Sequence, residues 1–244
     1  MTVVAISQPM YFPWAGFMEM MKLADVFLWL DDAQFSKGSF TNRIQVRTRS
    51  GTKWMTIPLE GKGTSQQIVA LRPKGDKWAI SHRSLLQTSL KCAPHRKTAL
   101  DLFDRAQKQT DLCDLLIASA EEQARALNVL PPHRTRTSRM DVRGESWRRV
   151  LALVQSVGGT HYISGAGGAR YIDHSAFDAA GVAVSYMEYN PVPWPQHGAA
   201  FTPYVTALDL IGARGDAAHT HLRPGLTPWR ERLAKMENSD VPTD

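Results

Sequence analysis

Apolar and polar positions alternate along this chain in a way that marks a strand, a turn, a helix and a second strand at its start. Val3-Val4-Ala5-Ile6 is a continuous apolar run, the pattern of a buried strand. Gln8-Pro9-Met10-Tyr11-Phe12-Pro13-Trp14 breaks it with prolines and aromatics. From Gly16 to Ala24 the apolar residues fall at helical spacing. Val26-Phe27-Leu28-Trp29-Leu30 is a second apolar run, ending at Asp31-Asp32. Such a unit is the building block of a parallel sheet. Ligands of open parallel sheets bind beyond the carboxyl ends of the strands. The polar clusters Gln8 to Trp14 and Asp31 to Arg43 fall at that edge, so the pattern places a site there.

The later pattern extends the same architecture. Arg43 to Arg49 alternates basic and apolar residues, and with Lys53 to Leu59 it predicts a hairpin with one polar face. Ile68 to Leu71 is expected to be a short strand. Asp76 to Leu90 and Leu100 to Leu130 carry helical patterns, closed by Pro94 and by Pro131-Pro132. His133 to Arg143 reads as a basic extended segment, and Glu145 to Val157 as a helix. Tyr162-Ile163 and Val182 to Tyr189 read as strands, Phe177 to Ala180 and Tyr204 to Ile211 as helices. The fold predicted is α/β: a Rossmann-like parallel or mixed sheet with flanking helices and a helical insert. A single domain is expected over residues 1–230, with the insert at about 76–129 and a flexible tail over 231–244.

Composition narrows the function less than the pattern narrows the fold. With 43% hydrophobic residues among 244, the chain can bury a full core. Its net charge of +6 suits an acidic ligand or simply a soluble surface. Arg43, Arg47, Arg49, Arg134, Arg136, Arg139 and Arg143 are basic enough for nucleic acid, but no nucleic-acid-binding motif accompanies them. Cys92 and Cys113 lack metal-ligand spacing and read as core thiols of a reducing compartment. No metal is expected. No run approaches the roughly 20 apolar residues of a membrane span, so a cytoplasmic protein is expected.

Four constellations carry chemistry. Gln8, Tyr11 and Trp14 stand with Gly16 at a strand-to-helix turn, where an aromatic floor suits a flat or sugar-like ring; the same aromatics suit a packed core. Asp31 and Asp32, with Gln34, Asn42 and Arg43, offer a carboxylate for a proton or a hydroxyl and a cation for an anion. Adjacent strand residues face opposite ways, so at most one of the two aspartates enters a site. Ser164 to Tyr171 is a small-residue turn able to bring Arg170 or Tyr171 to a pocket, without the pattern of a phosphate loop. Gln196 and His197 lie in a Trp- and Pro-rich loop before a helix that contains Asp209. A histidine's unperturbed pKa lies near neutrality, so His197 could move a proton, or could be an exposed loop histidine. All four groups are expected to line one cavity at the rim of the sheet.

QPMYFPWAGF, DVFLWLDDAQFSKGSFTNR, SGAGGARYID and WPQHGAAFTPYVTALDLIGARG together resemble the WbqC-like protein family, over about residues 3–216. The resemblance implies a cytoplasmic bacterial protein linked with surface-polysaccharide or amino-sugar biosynthesis. The chain departs from the family's usual pattern at Val205 to Gly212, where members tend to carry a Leu-Ser before Asp-Leu-Leu-Phe-Asn. A weaker similarity is to Rossmann-like nucleotidylyltransferases and pantothenate synthetase. The paired histidines that grip ATP in those enzymes are replaced by Phe12 to Phe17.

From these residues we expect a transferase joining an acyl or aminoacyl group to an amine such as an amino sugar or amino acid. The donor would be a carrier-protein or CoA thioester, or an aminoacyl-tRNA, so a carrier protein or tRNA is an expected partner beside the small-molecule substrate. Asp31 or Asp32 would take or orient the proton and His197 would be a spare base. Arg43 would hold an anionic group; Gln8, Gln34, Asn42, Ser164, Arg170, Tyr171 and Gln196 would contact substrate over a floor of Tyr11 and Trp14. A nucleotide-dependent ligase and a non-catalytic partner of a biosynthetic complex are the alternatives, and a homo-oligomer is compatible with all three.

Overall fold

The computed structural model describes residues 1–63, 65–198 and 200–239. Its centre is a six-stranded sheet in the order β5-β2-β1-β6-β7-β8. The strands are β1 (Val3–Ser7), β2 (Val26–Trp29), β5 (His133–Arg136), β6 (His161–Ser164), β7 (Ala183–Glu188) and β8 (Gly225–Pro228). All neighbours run parallel except β8, which pairs antiparallel with β7. The sheet is therefore α/β of Rossmann type. A separate hairpin pairs β3 (Arg43–Thr48) with β4 (Gly51–Thr56).

The apolar runs explain why β1 and β2 sit centrally. Ala5, Phe27 and Trp29 point to one face, and Val4, Val26 and Leu28 to the other; all are buried. A strand covered on both sides needs apolar residues at both parities, which is why neither run alternates. On the first face lie α1 (Ala15–Leu23), α3 (Arg96–Ala106), α4 (Leu112–Ala126) and α7 (Ala207–Arg214), with Met18, Phe103, Leu116 and Leu208 in one core. The second face is covered by α5 (Ser146–Ser156) and α6 (His174–Ala179), around Leu153, Tyr162 and Phe177. The margins of the sheet are β5, with exposed His133 and Arg134, and β8, which ends in Pro228.

The insert consists of α2 (Lys77–Ser89), α3 and α4. The stretch Leu100 to Leu130 is broken in two because Asp111 caps α4, its carboxylate accepting from the Cys113 amide at 2.9 Å and the Asp114 amide at 3.3 Å. Ile68 to Ala70 is a single 3-10 turn, not the expected strand. The amides of Ile68 and Val69 instead reach the carbonyls of Ala33 and Asp31 singly, without a ladder. Tyr204 to Thr206 is extended, and α7 starts only after Thr206, whose hydroxyl accepts from the Leu208 amide. The expected loose tail is a helix over much of its length: α8 (Trp229–Ser239) packs on β7 and β8. Residues 240–244 lie outside the described residues.

The polar face of the β3–β4 hairpin is solvated only in part: Thr52, Trp54 and Thr56 are exposed on β4, but the β3 side chains opposite them are half-buried or buried. Arg47 is 3% exposed and donates to the carbonyls of His197, Gly51 and Ala200. Gln45 bridges Val205, and its carbonyl accepts from the Thr206 amide at 3.0 Å. The hairpin thus binds the loop before α7 through groups that look surface-exposed in the sequence.

The ends of β2 and β5 are joined by charge. Asp31 is fully buried and accepts from Arg136 Nε at 2.6 Å, Ser138 Oγ at 2.6 Å and the Ser138 amide at 2.9 Å. Removing one partner of a buried pair leaves the other charge uncompensated, at about 3–5 kcal/mol. Arg136→Met is therefore expected to lower the unfolding free energy by roughly 3 kcal/mol, read by urea denaturation; a loss under 0.5 kcal/mol would contradict this role for the pair.

Candidate functional site

The chain moves outward from β1 to β2 and β5, then returns to the other side of β1 with β6. The strand order therefore reverses between β1 and β6, and a crevice opens beyond their carboxyl ends. Gln8 follows β1 there and is half-buried. Ser164 ends β6 and Gly165 follows it; a methyl placed on Gly165 would come within 3.8 Å of Met20 on α1. Phe12 makes the turn between β1 and α1 with φ of 42°, a left-handed conformation that a phenylalanine seldom adopts. Its amide is held by Ser119 Oγ at 2.9 Å and its ring stacks on Phe103 at 5.0 Å.

That turn carries Trp14 to the surface, where an array of rings begins. Trp14 lies 4.8 Å from Phe40, and Phe40 lies 5.9 Å from Trp54. The Arg43 guanidinium sits 4.3 Å above the Trp54 ring. Trp14 and Tyr189 both pack over Gly16; Tyr189 follows β7 and contacts the exposed Tyr204 at 6.3 Å between ring centroids. Gly16 makes this approach possible: a Cβ there would fall 2.7 Å from Trp14 Nε1 and 2.9 Å from the Tyr189 ring. Trp14, Phe40 and Tyr189 are half-buried, while Trp54 and Tyr204 are exposed. The result is a partly exposed aromatic ledge with one guanidinium at its end. Arg43 donates to the Gly38 carbonyl, but its buried Nε has no partner among the described residues.

Glu19 lies on α1, one turn after Gly16, and is fully buried. Its Oε1 accepts from the Arg223 amide at 2.8 Å; Oε2 has no partner among the described residues. Burial lifts this carboxyl to about 7, against the Arg223 amide and the Lys22 charge. The Tyr189 hydroxyl is likewise buried without a partner among the described residues, and Glu19 acts on it electrostatically. The sequence reading missed Glu19. A lone carboxylate in the apolar run Ala15-Gly16-Phe17-Met18-Glu19-Met20-Met21 was the available signal.

The expected site residues divide into separate groups. Gln8, Trp14 and Arg43 lie around the crevice and ledge. Tyr11 is not a floor: it is buried, with its hydroxyl 3.1 Å from His82 Nδ1 and accepting from Gln107 at 3.4 Å. Asn42 is buried and donates to the Ile57 carbonyl, which holds the hairpin base. Gln34 is exposed and bridges Gln67. Asp31 and Asp32 do not meet Arg43. Asp32 accepts from Thr137 Oγ1 at 2.6 Å and from both terminal nitrogens of Arg149. Burial pushes the Asp32 carboxyl up, but the bonds from Arg149 and Thr137 and the Arg149 charge hold it below its usual range. With every oxygen engaged, neither aspartate is placed as a free base.

Ser164 is buried at the end of β6, and Arg170 and Tyr171 are exposed beyond it. Gln196 and His197 lie at the far end of β3: Gly198 packs so close to Thr48 and Arg49 that a Cβ would fall 2.8 Å and 2.6 Å from their carbonyl oxygens. From Arg43 to Thr48 is about 17 Å at the usual strand rise. The four groups therefore do not surround one cavity. Cys92 is exposed, not a core thiol, while Cys113 is buried. Among the described residues, no cluster of three or more His, Cys, Asp or Glu could hold a metal ion, and no helix is long and apolar enough to cross a membrane.

A Rossmann-type sheet with its crevice at the β1–β6 reversal defines the architectural class. Residues 8–221 match the model of the WbqC-like protein family, and the chain belongs to that family. It is similar to the uncharacterized protein Rv1507c of Mycobacterium tuberculosis, with 28% identity over 234 residues that cover 91% of this chain and 98% of that protein. No solved structure matches the chain.

The buried carboxyl makes stability depend on pH. The folded chain keeps the Glu19 proton up to about 7, whereas the unfolded carboxyl loses it near 4.5. Stability is therefore lost as pH rises through that window. Between pH 5 and pH 8 the native protein is expected to lose about 2.5 kcal/mol more than Glu19→Gln does, measured by denaturant titration at each pH. Parallel profiles for the two proteins would show that Glu19 titrates normally.

Proposed function

We propose that this protein is a small-molecule transferase that forms an amide by moving an acyl or aminoacyl group from an activated donor to an amine. One observation carries the reading: a buried carboxyl with one oxygen unpartnered among the described residues and a proton affinity near neutrality, acting electrostatically on a buried tyrosine hydroxyl that also lacks a partner among them, beneath an aromatic ledge at the sheet reversal. An amine is protonated in water and attacks only after losing that proton. A base titrating near the working pH is suited to take it. Glu19 fills that role in place of Asp31 and Asp32, whose charges are neutralised by Arg136 and Arg149.

In this reaction the acceptor ammonium gives one proton to Glu19. The freed lone pair attacks the acyl carbon, the bond from that carbon to the thioester sulfur or ester oxygen breaks, and the leaving group departs with the second proton. Trp14, Phe40 and Trp54 hold a flat or sugar-like portion of the substrate, and Arg43 holds an anionic group. The donor is a carrier-protein or CoA thioester, or an aminoacyl-tRNA. The acceptor is an amino sugar or amino acid, and the setting is cytoplasmic biosynthesis of surface polysaccharide or a natural product.

The test is a matrix of acyl-CoA, carrier-thioester and aminoacyl-tRNA donors against amino sugars and amino acids, read by mass spectrometry for the amide. Glu19→Gln is expected to lower kcat by at least 100-fold, and Arg43→Ala to raise KM by about tenfold with a smaller effect on kcat. Undiminished turnover in Glu19→Gln removes the base, and an empty matrix removes the reaction.

The strand order and the exposed rings, which could stack on a base, favour a second reading as a nucleotide-dependent ligase. ATP with Mg²⁺ is expected to leave Tm unchanged if the donor is activated elsewhere. A rise of several degrees, read by thermal shift, would favour the ligase.

A further inference from the structure

At the far end of β3 from the ledge, α2, α7 and the loop around Gln196 enclose a cavity of about 220 Å³. Leu90, Ala93, Pro94 and Ala213 give it apolar walls. Its polar lining includes Asp209 and Ser89, each 4% exposed. Asp209 Oδ1 accepts from Trp194 Nε1 at 2.6 Å and from Gln196 Nε2 at 3.0 Å. Its other oxygen accepts no hydrogen bond among the described residues. The Ser89 hydroxyl is buried and also lacks a partner among them.

Asp209 and the adjoining helix end share one electrical sign, with His197 and Gln196 also in the lining. Ser89 and Leu90 stand at the carboxyl end of α2, where the last carbonyls carry partial negative charge. The nearby cation, Arg47, directs all three of its hydrogen bonds at the carbonyls of His197, Gly51 and Ala200. None of these bonds reaches Asp209, although the Arg47 charge acts on its carboxyl. Burial raises the Asp209 carboxyl despite the bonds from Trp194 and Gln196 and the Arg47 charge, as expected of a carboxylate short of partners.

We infer that this cavity binds a primary ammonium carried on a short apolar body. The ammonium donates to the free oxygen of Asp209 and to Ser89 Oγ, and the apolar body lies against Leu90, Pro94 and Ala213. Two of the three donors on one compact cation match the two acceptors that the fold leaves open, and the volume limits the ligand to a small molecule. The site lies about 17 Å from Arg43 along β3, and it does not depend on acyl transfer at the ledge.

Cys92 lines the cavity and is exposed, whereas Cys113 is buried, so thiol alkylation reports on this place alone. Phenethylamine and its uncharged analogue 2-phenylethanol are titrated into the full chain at neutral pH, with binding followed by calorimetry and by protection of Cys92. The amine is expected to bind at least tenfold tighter than the alcohol and to slow Cys92 alkylation. Asp209→Asn should reduce amine affinity to that of the alcohol, and Ser89→Ala should weaken the amine about threefold without affecting the alcohol. Ala213→Leu should fill the space and abolish binding of both. Equal affinity for amine and alcohol, no binding of either, or a preference surviving in Asp209→Asn would overturn the inference. If Asp209→Asn does not fold, unchanged amine affinity in both Ser89→Ala and Ala213→Leu overturns it.

Discussion

A fully buried aspartate ties the two halves of this sheet's left side together. β2 and β5 are neighbours in space but are separated in the chain by the hairpin and the three-helix insert. Their parallel pairing needs a crossover of that kind, and loop closure over such a length is costly. Asp31 offsets part of that cost by collecting Arg136, Thr137 and Ser138 from the far end of the crossover. Asp32 shares the Thr137 hydroxyl and takes Arg149 from α5. Two consecutive carboxylates thus fasten β2 to the end of β5 and to the layer that holds α5. Such buried pairs are specific more than they are stabilising, because desolvation consumes most of the Coulomb gain.

This explains which parts of the molecule could be read in the sequence. The α/β class followed from two non-alternating apolar runs flanking an amphipathic helix, a pattern that only a doubly covered sheet satisfies. The hairpin followed from the alternation at Ile44 and Val46. The helical insert followed from the stripe around Leu112, Leu115 and Leu116. Pairings between residues distant in the chain did not follow. Nothing in the local pattern says that Asp31 meets Arg136, or that Arg47 spends its donors on carbonyls of a loop 150 positions later. β8 was missed because Gly225-Leu226-Thr227-Pro228 is too short and too poor in β-branched residues to signal a strand.

The candidate site was legible in part for the same reason. Motif reading located the Pro- and aromatic-rich turn, and its Trp14 does reach the surface beside Phe40. It assigned Tyr11 the same role, yet three residues earlier the turn points inward and Tyr11 serves the core with His82. Glu19 escaped notice because helical periodicity counts a single polar residue as noise. Its importance lies in what surrounds it, an apolar interior that withholds the second hydrogen bond. The ledge above it is the opposite case: rings conspicuous in the sequence, held in place by a glycine that contributes no atoms to the surface.

The margins of the sheet have a consequence for how copies of this protein meet. Along β5 the outward positions carry histidine and arginine, with Arg134 engaged by Glu121, and β8 closes on a proline that has no amide to give. An incoming strand would have to strip charge from one side and would find a missing donor on the other. Continuation of the ladder from molecule to molecule is thereby discouraged at both ends. Self-association through this sheet would then be built from side-chain surfaces, and crowding should not by itself drive its edges toward fibrous stacking.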